Sequence, residues 1–152
     1  MMTPEEKITQ LGLLLPPAPK PVGLYQPFVV SGKLAFLSGQ ISKDAEGKVL
    51  AGKVGKELSL AEGQAAARLA ALNALSVMKN LIGFGKIRRV VKMTGFVQAA
   101  PDFYEIPAVL NQASELFAEV MGEQGAHARS AVGTASLPLN AAVEIELVLE
   151  LK

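Results

Sequence analysis

No cysteine and no tryptophan occur in this chain, and histidine occurs once, as His127. Without cysteine there is no disulfide, no thiol nucleophile and no thiolate metal ligand, a composition that suits a reducing compartment. One histidine leaves a protein-only zinc site short of its usual ligands, so no metal is expected. An excess of charge of one sign is also missing: fifteen basic against fourteen acidic residues leave a formal net charge of +1. That balance creates no global field toward nucleic acid or an anionic membrane, although Lys86, Arg88 and Arg89 offer a local basic patch. No apolar run reaches membrane-spanning length and the opening M-M-T-P-E-E-K is polar, so the expected address is the cytoplasm, with no membrane attachment.

What is present is aliphatic. Half of the 152 residues are hydrophobic but only 5% are aromatic, so the core must be built from Ala, Val and Leu. The length suits one compact domain with a real core. We expect a helical and proline-rich lead-in over residues 1–22 and a single domain over 23–152. So high an apolar share on a small domain points to buried subunit contacts, hence a homo-oligomer.

Thr3, Pro4 and Glu6 form a capping box with proline in the first turn, and Gly12 gives a stop, so a short helix is expected over residues 3–12. Pro16, Pro17, Pro19 and Pro21 then enforce an extended surface connector, with a proline-ligand role as the alternative. Two apolar runs flank Gly32-Lys33 and read as a hairpin, its second strand closing at Gly39-Gln40-Ile41. A second capping box, Ser59 with Glu62, opens a long helix that should stop at Gly83. Its expected buried face holds Ala67, Ala70, Ala71, Ala74, Val77, Met78 and Leu81. Asn73 and Ser76 fall among the polar residues opposite.

Residues 87–98 read as a strand in which Gly95 marks a bulge or a close backbone approach. Apolar residues from Phe103 to Val120 recur at helical spacing, with Pro107 limiting the first turn. The strand 129–136, a turn at 137–141 and the alternating strand 142–151 follow, and we expect the two strands to pair as a hairpin. The order is an α+β plan, two helices on one face of a mixed sheet.

Arg129 stands between the small residues Ala128 and Ser130, where its planar fork of donors is open to a carboxylate or phosphate; a surface ion pair is the plainer reading. Glu144 falls on the polar side of the last strand, and a solvated strand carboxylate is its plainer reading. In the expected hairpin Glu144 stands beside Thr134. Arg129 would then lie a strand length of roughly 17 Å away, so a joint site would need two subunits. Ser38 precedes Gly39-Gln40 at a strand end, where hydroxyl and amide groups can hold a ligand. His127 is either a general base or a hydrogen-bonded structural residue, and little supports a Ser-His-Asp triad. Tyr25 orients a ligand or fills a gap. No phosphate-binding glycine loop is present.

Together these positions resemble the Rid family, also called YjgF, of enamine and imine deaminases. The resemblance rests on Tyr25, Gly32, Ser38-Gly39-Gln40, the strand R-V-V-K-M-T-G-F-V, Asp102-Phe103 and, most specifically, R-S-A-V-x-x-x-x-L-P-x-x-x-x-V-E-I-E from Arg129 to Glu146. It implies a chorismate-mutase-like fold assembled as a homotrimer with ligand clefts between subunits. It also implies cofactor-free hydrolysis of 2-imino or enamine acids to 2-keto acids and ammonia. By that resemblance Arg129 would hold the substrate carboxylate, and Glu144 would position water and move protons. Tyr25, Ser38 and the Gly39 amide would line the pocket, Asn111 would match the family's pocket asparagine with the insertion in front of it, and His127, in the altered segment, is a further candidate for substrate binding. A carboxylate binder without turnover is the alternative, and RNA cleavage with translation inhibition the third; near-neutral charge and few aromatics disfavour nucleic acid. Gln26-Pro27 replaces the usual Ser-Gln after the tyrosine, Ala131 stands where some members have cysteine, and the segment between Phe103 and Arg129 is longer, marking a divergent branch.

Overall fold

The structure, a computed structural model, describes residues 1–20 and 23–152. Pro21, the last proline of the expected connector, lies outside them. Helix α1, Pro4–Gln10, starts on the expected capping box: Thr3 accepts from the Glu6 amide, and Glu6 accepts from the Thr3 amide. Its buried Ile8 joins the main core. Strands β1, Phe28–Ser31, and β2, Leu34–Leu37, form the hairpin around Gly32 at φ 61°. The expected end of the second strand is instead a separate element, β3, Gln40–Ile41. The chain breaks step at Ser38-Gly39 and then pairs again with β6, which β2 also pairs.

Helix α2, Leu60–Val77, is capped by Ser59 and Glu62 and passes into a π-helical turn, Met78–Ile82, that ends at Gly83 with φ 93°. Its buried stripe contains the expected alanines, but two departures stand out. Leu81 is exposed, while Asn73 and Ser76 are buried. The Asn73 amide donates to the carbonyls of Ile41 and Lys43, and the Ser76 hydroxyl to that of Pro16. Two supposedly solvent-facing side chains therefore pin neighbouring chain to the helix, which removes the penalty of burying them.

Strand β4, Ile87–Gln98, helix α3, Ile106–Met121, strand β5, Ala128–Thr134, and strand β6, Val143–Leu151, complete the domain. The sheet order is β1-β2-β6-β4-β5, with β3 also on β6. The expected β5–β6 hairpin does not exist. Strand β5 pairs in parallel with β4, and β6 runs antiparallel to β4 on its other side. The buried Gln98 at the end of β4 holds the turn that follows β5. Its Oε1 accepts from the Leu137 amide at 2.8 Å, and its Nε2 donates to the Gly52 carbonyl at 3.0 Å and to Asn140 Oδ1 at 2.7 Å. The end of β4 thus satisfies polar groups of the very turn that was expected to join β5 to β6.

Helices α2 and α3 cover one face of the mixed sheet, and α1 packs on α3. Alternation along β6 turns Val143, Ile145, Leu147 and Leu149 into that core. The opposite face bears Val29 and Phe36, 57% and 45% exposed, beside Val148, with Phe96 and Val132 further across. Gly95 is a point of close approach rather than a bulge: a Cβ there would lie 2.5 Å from Leu110 Cδ1 of α3. Gly95→Ala is therefore expected to destabilise the protein by about 1–3 kcal/mol through overpacking, read as a lowered midpoint in urea with an unchanged slope.

Candidate functional site

Two clusters hold the side chains singled out from the sequence, and they lie apart. The first is a cavity of about 280 Å³ lined by Tyr25, Ser38, Gly39, Lys43, Asn73 and Glu144, among others. It exists because the edge of the sheet breaks at Ser38-Gly39. The Ser38 amide donates to the Pro27 carbonyl at 2.9 Å and its hydroxyl to the Gln26 carbonyl, which ties the Tyr25 loop over the gap. Glu144, opposite Ile41 on β6, fills the space where Gly39 has no side chain; a Cβ on Gly39 would collide with its carboxylate. Burial raises the pKa of Glu144, and the like charge of Glu146 raises it further. It is half-buried while Glu146 is exposed, so the solvated-strand reading fits Glu146 and not Glu144. A carboxyl so placed is poised to exchange protons nearer neutrality than an ordinary glutamate.

The second cluster sits where β5 meets α3. Arg129 Nη1 donates to Asn111 Oδ1 at 2.9 Å and to Ser114 Oγ at 3.2 Å. His127 Nε2 lies 3.0 Å from Ser114 Oγ, and its Nδ1 lies 2.6 Å from the Gly125 carbonyl. Among the described residues the one ion pair is Arg88–Glu150, at 3.9 Å and largely exposed, so no carboxylate of this chain occupies Arg129. Its guanidinium is held at Nη1, and no hydrogen bond among the described residues engages Nε or Nη2. Ser114 is the residue that sequence reasoning missed, because its partner His127 lies thirteen positions on, across the end of a helix.

The register fixes how far apart the clusters are. Arg129 pairs with Met93 of β4, and Glu144 with Phe96. Two strand spacings of about 4.8 Å and three residues of about 3.3 Å put their Cα atoms roughly 14 Å apart. Met93 and Phe96 are an odd number of residues apart, so the two side chains also leave opposite faces of the sheet. Glu144 is therefore not beside Thr134, which pairs with Gln98. The hairpin premise fails, yet the separation it was used to infer persists.

The sequence pattern of the YjgF/chorismate mutase-like, putative endoribonuclease family matches residues 5–151. The chain belongs to the YjgF, or Rid, family. Among similar proteins of known structure is Atu1372 from Agrobacterium tumefaciens, of unknown function, with a TM-score of 0.88 and 44% identity, covering 99% of this chain and 94% of that one. Protein TCP17 of Trypanosoma cruzi is 43% identical over 146 residues, 95% of this chain and 91% of its own. A 2-iminobutanoate/2-iminopropanoate deaminase of Dermatophagoides farinae is 31% identical over 137 residues, 88% of this chain and 91% of its own. The Rid fold here has α1 docked on α3 as a third helix, and among its described residues no helix is long and apolar enough to cross a membrane.

Proposed function

We propose that this Rid protein hydrolyses 2-imino or enamine acids to 2-keto acids and ammonia, in clefts between the subunits of a homotrimer. The observation that carries the reading is Glu144, a part-buried carboxyl with a raised pKa that lines a cavity and is lodged where Gly39 has no side chain. An imine carbon is already electrophilic. Its hydrolysis needs a water held in place, a proton acceptor for that water and a donor for the departing amine, all within reach of one titrating carboxyl. The open edge of the Arg129 fork matches the substrate carboxylate.

Arg129 and Glu144 of one chain are too far apart, and on opposite sheet faces, to act on one small acid. The reading therefore joins Arg129 of one subunit to the Glu144 cavity of its neighbour. The uncovered sheet face with Val29, Phe36, Phe96 and Val132 supplies apolar surface for such an assembly. The deaminase among its relatives supports the chemistry, and the family's endoribonuclease description supports the RNA-cleavage alternative.

Arg129→Ala is the test. With 2-iminopropanoate generated in situ from alanine by an amino-acid oxidase, the variant is expected to lose about a hundredfold in kcat/KM while keeping its oligomeric mass. Undiminished keto-acid formation would reject the site. A protein that is stabilised thermally by 2-keto acids yet accelerates no imine loss would be the carboxylate binder instead.

A further inference from the structure

We propose that Ser114 and His127 are positioning residues for Arg129, a relay that locks the guanidinium plane so that its free edge meets an incoming carboxylate. This rests on the deaminase reading of the site and adds to it a device built from the longer segment between Phe103 and Arg129. With the singly protonated His127 tautomer that carries its proton on Nδ1, hydrogen-bond logic gives the relay one direction. The Gly125 carbonyl can only accept, so His127 Nδ1 carries the proton. When Nε2 carries no proton, its lone pair takes the Ser114 hydroxyl proton. With its proton so directed, Ser114 Oγ turns a lone pair toward Arg129 Nη1.

The relay starts from a backbone that cannot move easily. The 3-10 turn Gly122–Gly125 lies directly on the last turns of α3, and a Cβ on Gly125 would collide with the Phe117 carbonyl. The Phe117 ring meets the His127 ring edge-on, at 6.0 Å between centroids and 88° between planes, and fixes its tilt. Every member is thus held by something other than Arg129 itself. Asn111 alone would act as a hinge about Nη1, whereas Asn111 and Ser114 together define the plane of the guanidinium. No hydrogen bond among the described residues engages Nε or Nη2 of Arg129, so the pair of donors suited to a carboxylate stays open.

A Ser-His pair also invites a nucleophilic reading, which the geometry opposes. Ser114 lies inside helix α3, where backbone amides are spent on helical bonds and offer no oxyanion hole. Its oxygen already accepts from a cation.

The measurement is a split of KM from kcat for 2-iminopropanoate hydrolysis in the full-length protein. Ser114→Ala and His127→Leu are each expected to raise KM about tenfold while changing kcat less than about threefold. His127→Gln, whose amide oxygen can accept the Ser114 hydroxyl where Nε2 did, is expected to restore most of the loss. His127→Asn, which is too short to reach it, is not. Should the first two variants fail to fold, the contrast between Gln and Asn decides. Unchanged KM in these variants, or equal behaviour of Gln and Asn, overturns the relay. If Arg129→Ala is impaired while they are not, the relay alone falls; if Arg129→Ala is also unimpaired, the site reading falls with it. Hydrolysis of p-nitrophenyl acetate that disappears in Ser114→Ala would replace positioning by nucleophilic catalysis.

Discussion

Replacing Glu144 by glutamine is expected to lower keto-acid formation about a thousandfold and, at neutral pH, to leave the protein at least as stable as before. Both halves follow from one environment. Withdrawal from water and the neighbouring Glu146 charge disfavour ionised Glu144, raising its pKa above the ordinary 4.5. The folded state then binds the carboxyl proton more tightly than the unfolded chain does. Stability therefore falls as pH rises through the raised pKa, and the penalty vanishes below the unfolded value. Glutamine has the same shape, fits against Gly39 and carries no charge to desolvate. Thermal unfolding from about pH 4 to pH 8 should show the variant gaining on the parent as pH rises, with the difference closing at the acid end. A Glu144→Gln protein that is less stable at neutral pH, or that hydrolyses imines at the parental rate, would contradict this account. In the parent protein, the proposed imine hydrolysis should decline with acid at a pH above that of an ordinary glutamate, because the group must be ionised to accept a proton from water.

Phe117→Ala is expected to destabilise the protein by about 3–5 kcal/mol, the usual range for emptying a buried aromatic site. Phe117 is fully buried in α3, between helix and sheet, and its backbone carries the carbonyl against which Gly125 packs. For a domain of this size each kcal/mol moves the melting temperature by about 2–4 °C, so the midpoint should fall by roughly 6–20 °C. Glu119→Ala, exposed on the same helix, serves as the control and should stay within about 0.5 kcal/mol of the parent. A Phe117→Ala shift as small as the control's would mean that the core closes over the gap. Because the ring also buttresses His127, kinetic effects of Phe117→Ala should resemble those of His127→Leu at temperatures where the variant remains folded.

Local chemistry was the legible part of this fold. Thr3 with Glu6 and Ser59 with Glu62 cap their helices within three residues of themselves, so spacing alone reveals them. Gly32, Gly83 and Gly122 adopt the positive φ that their positions as turn or helix stops demand. Periodicity correctly put Val143, Ile145, Leu147 and Leu149 on one side of the last strand, but periodicity assigns faces and says nothing about neighbours. The pairing of β5 with β4, and the Gln98 bonds to Leu137, Gly52 and Asn140 beside it, are contacts across tens of residues that leave no mark in the local pattern. Asn73 and Ser76 failed for a related reason. Periodicity places polar side chains toward water, whereas each of these donates to a carbonyl of a distant segment. In the site, the motif residues Tyr25, Ser38, Gly39 and Glu144 do line one cavity. Ser114 carried no signal, because its role depends on how closely Gly125 settles onto α3.

The sheet order has a consequence for how the chain acquires its shape. Strand β6 follows every other strand in sequence yet lies in the middle, between β2 and β4. Until it is synthesised, the β1–β2 hairpin and the parallel β4–β5 pair are two separate ribbons with unsatisfied inner edges. Neither ribbon can close on the other, so strand pairing across the domain waits for residues 143–151 and is then completed from the centre outward. A nascent chain therefore passes through a stage with two open strand edges, the stage at which it is most exposed to mispairing with its neighbours.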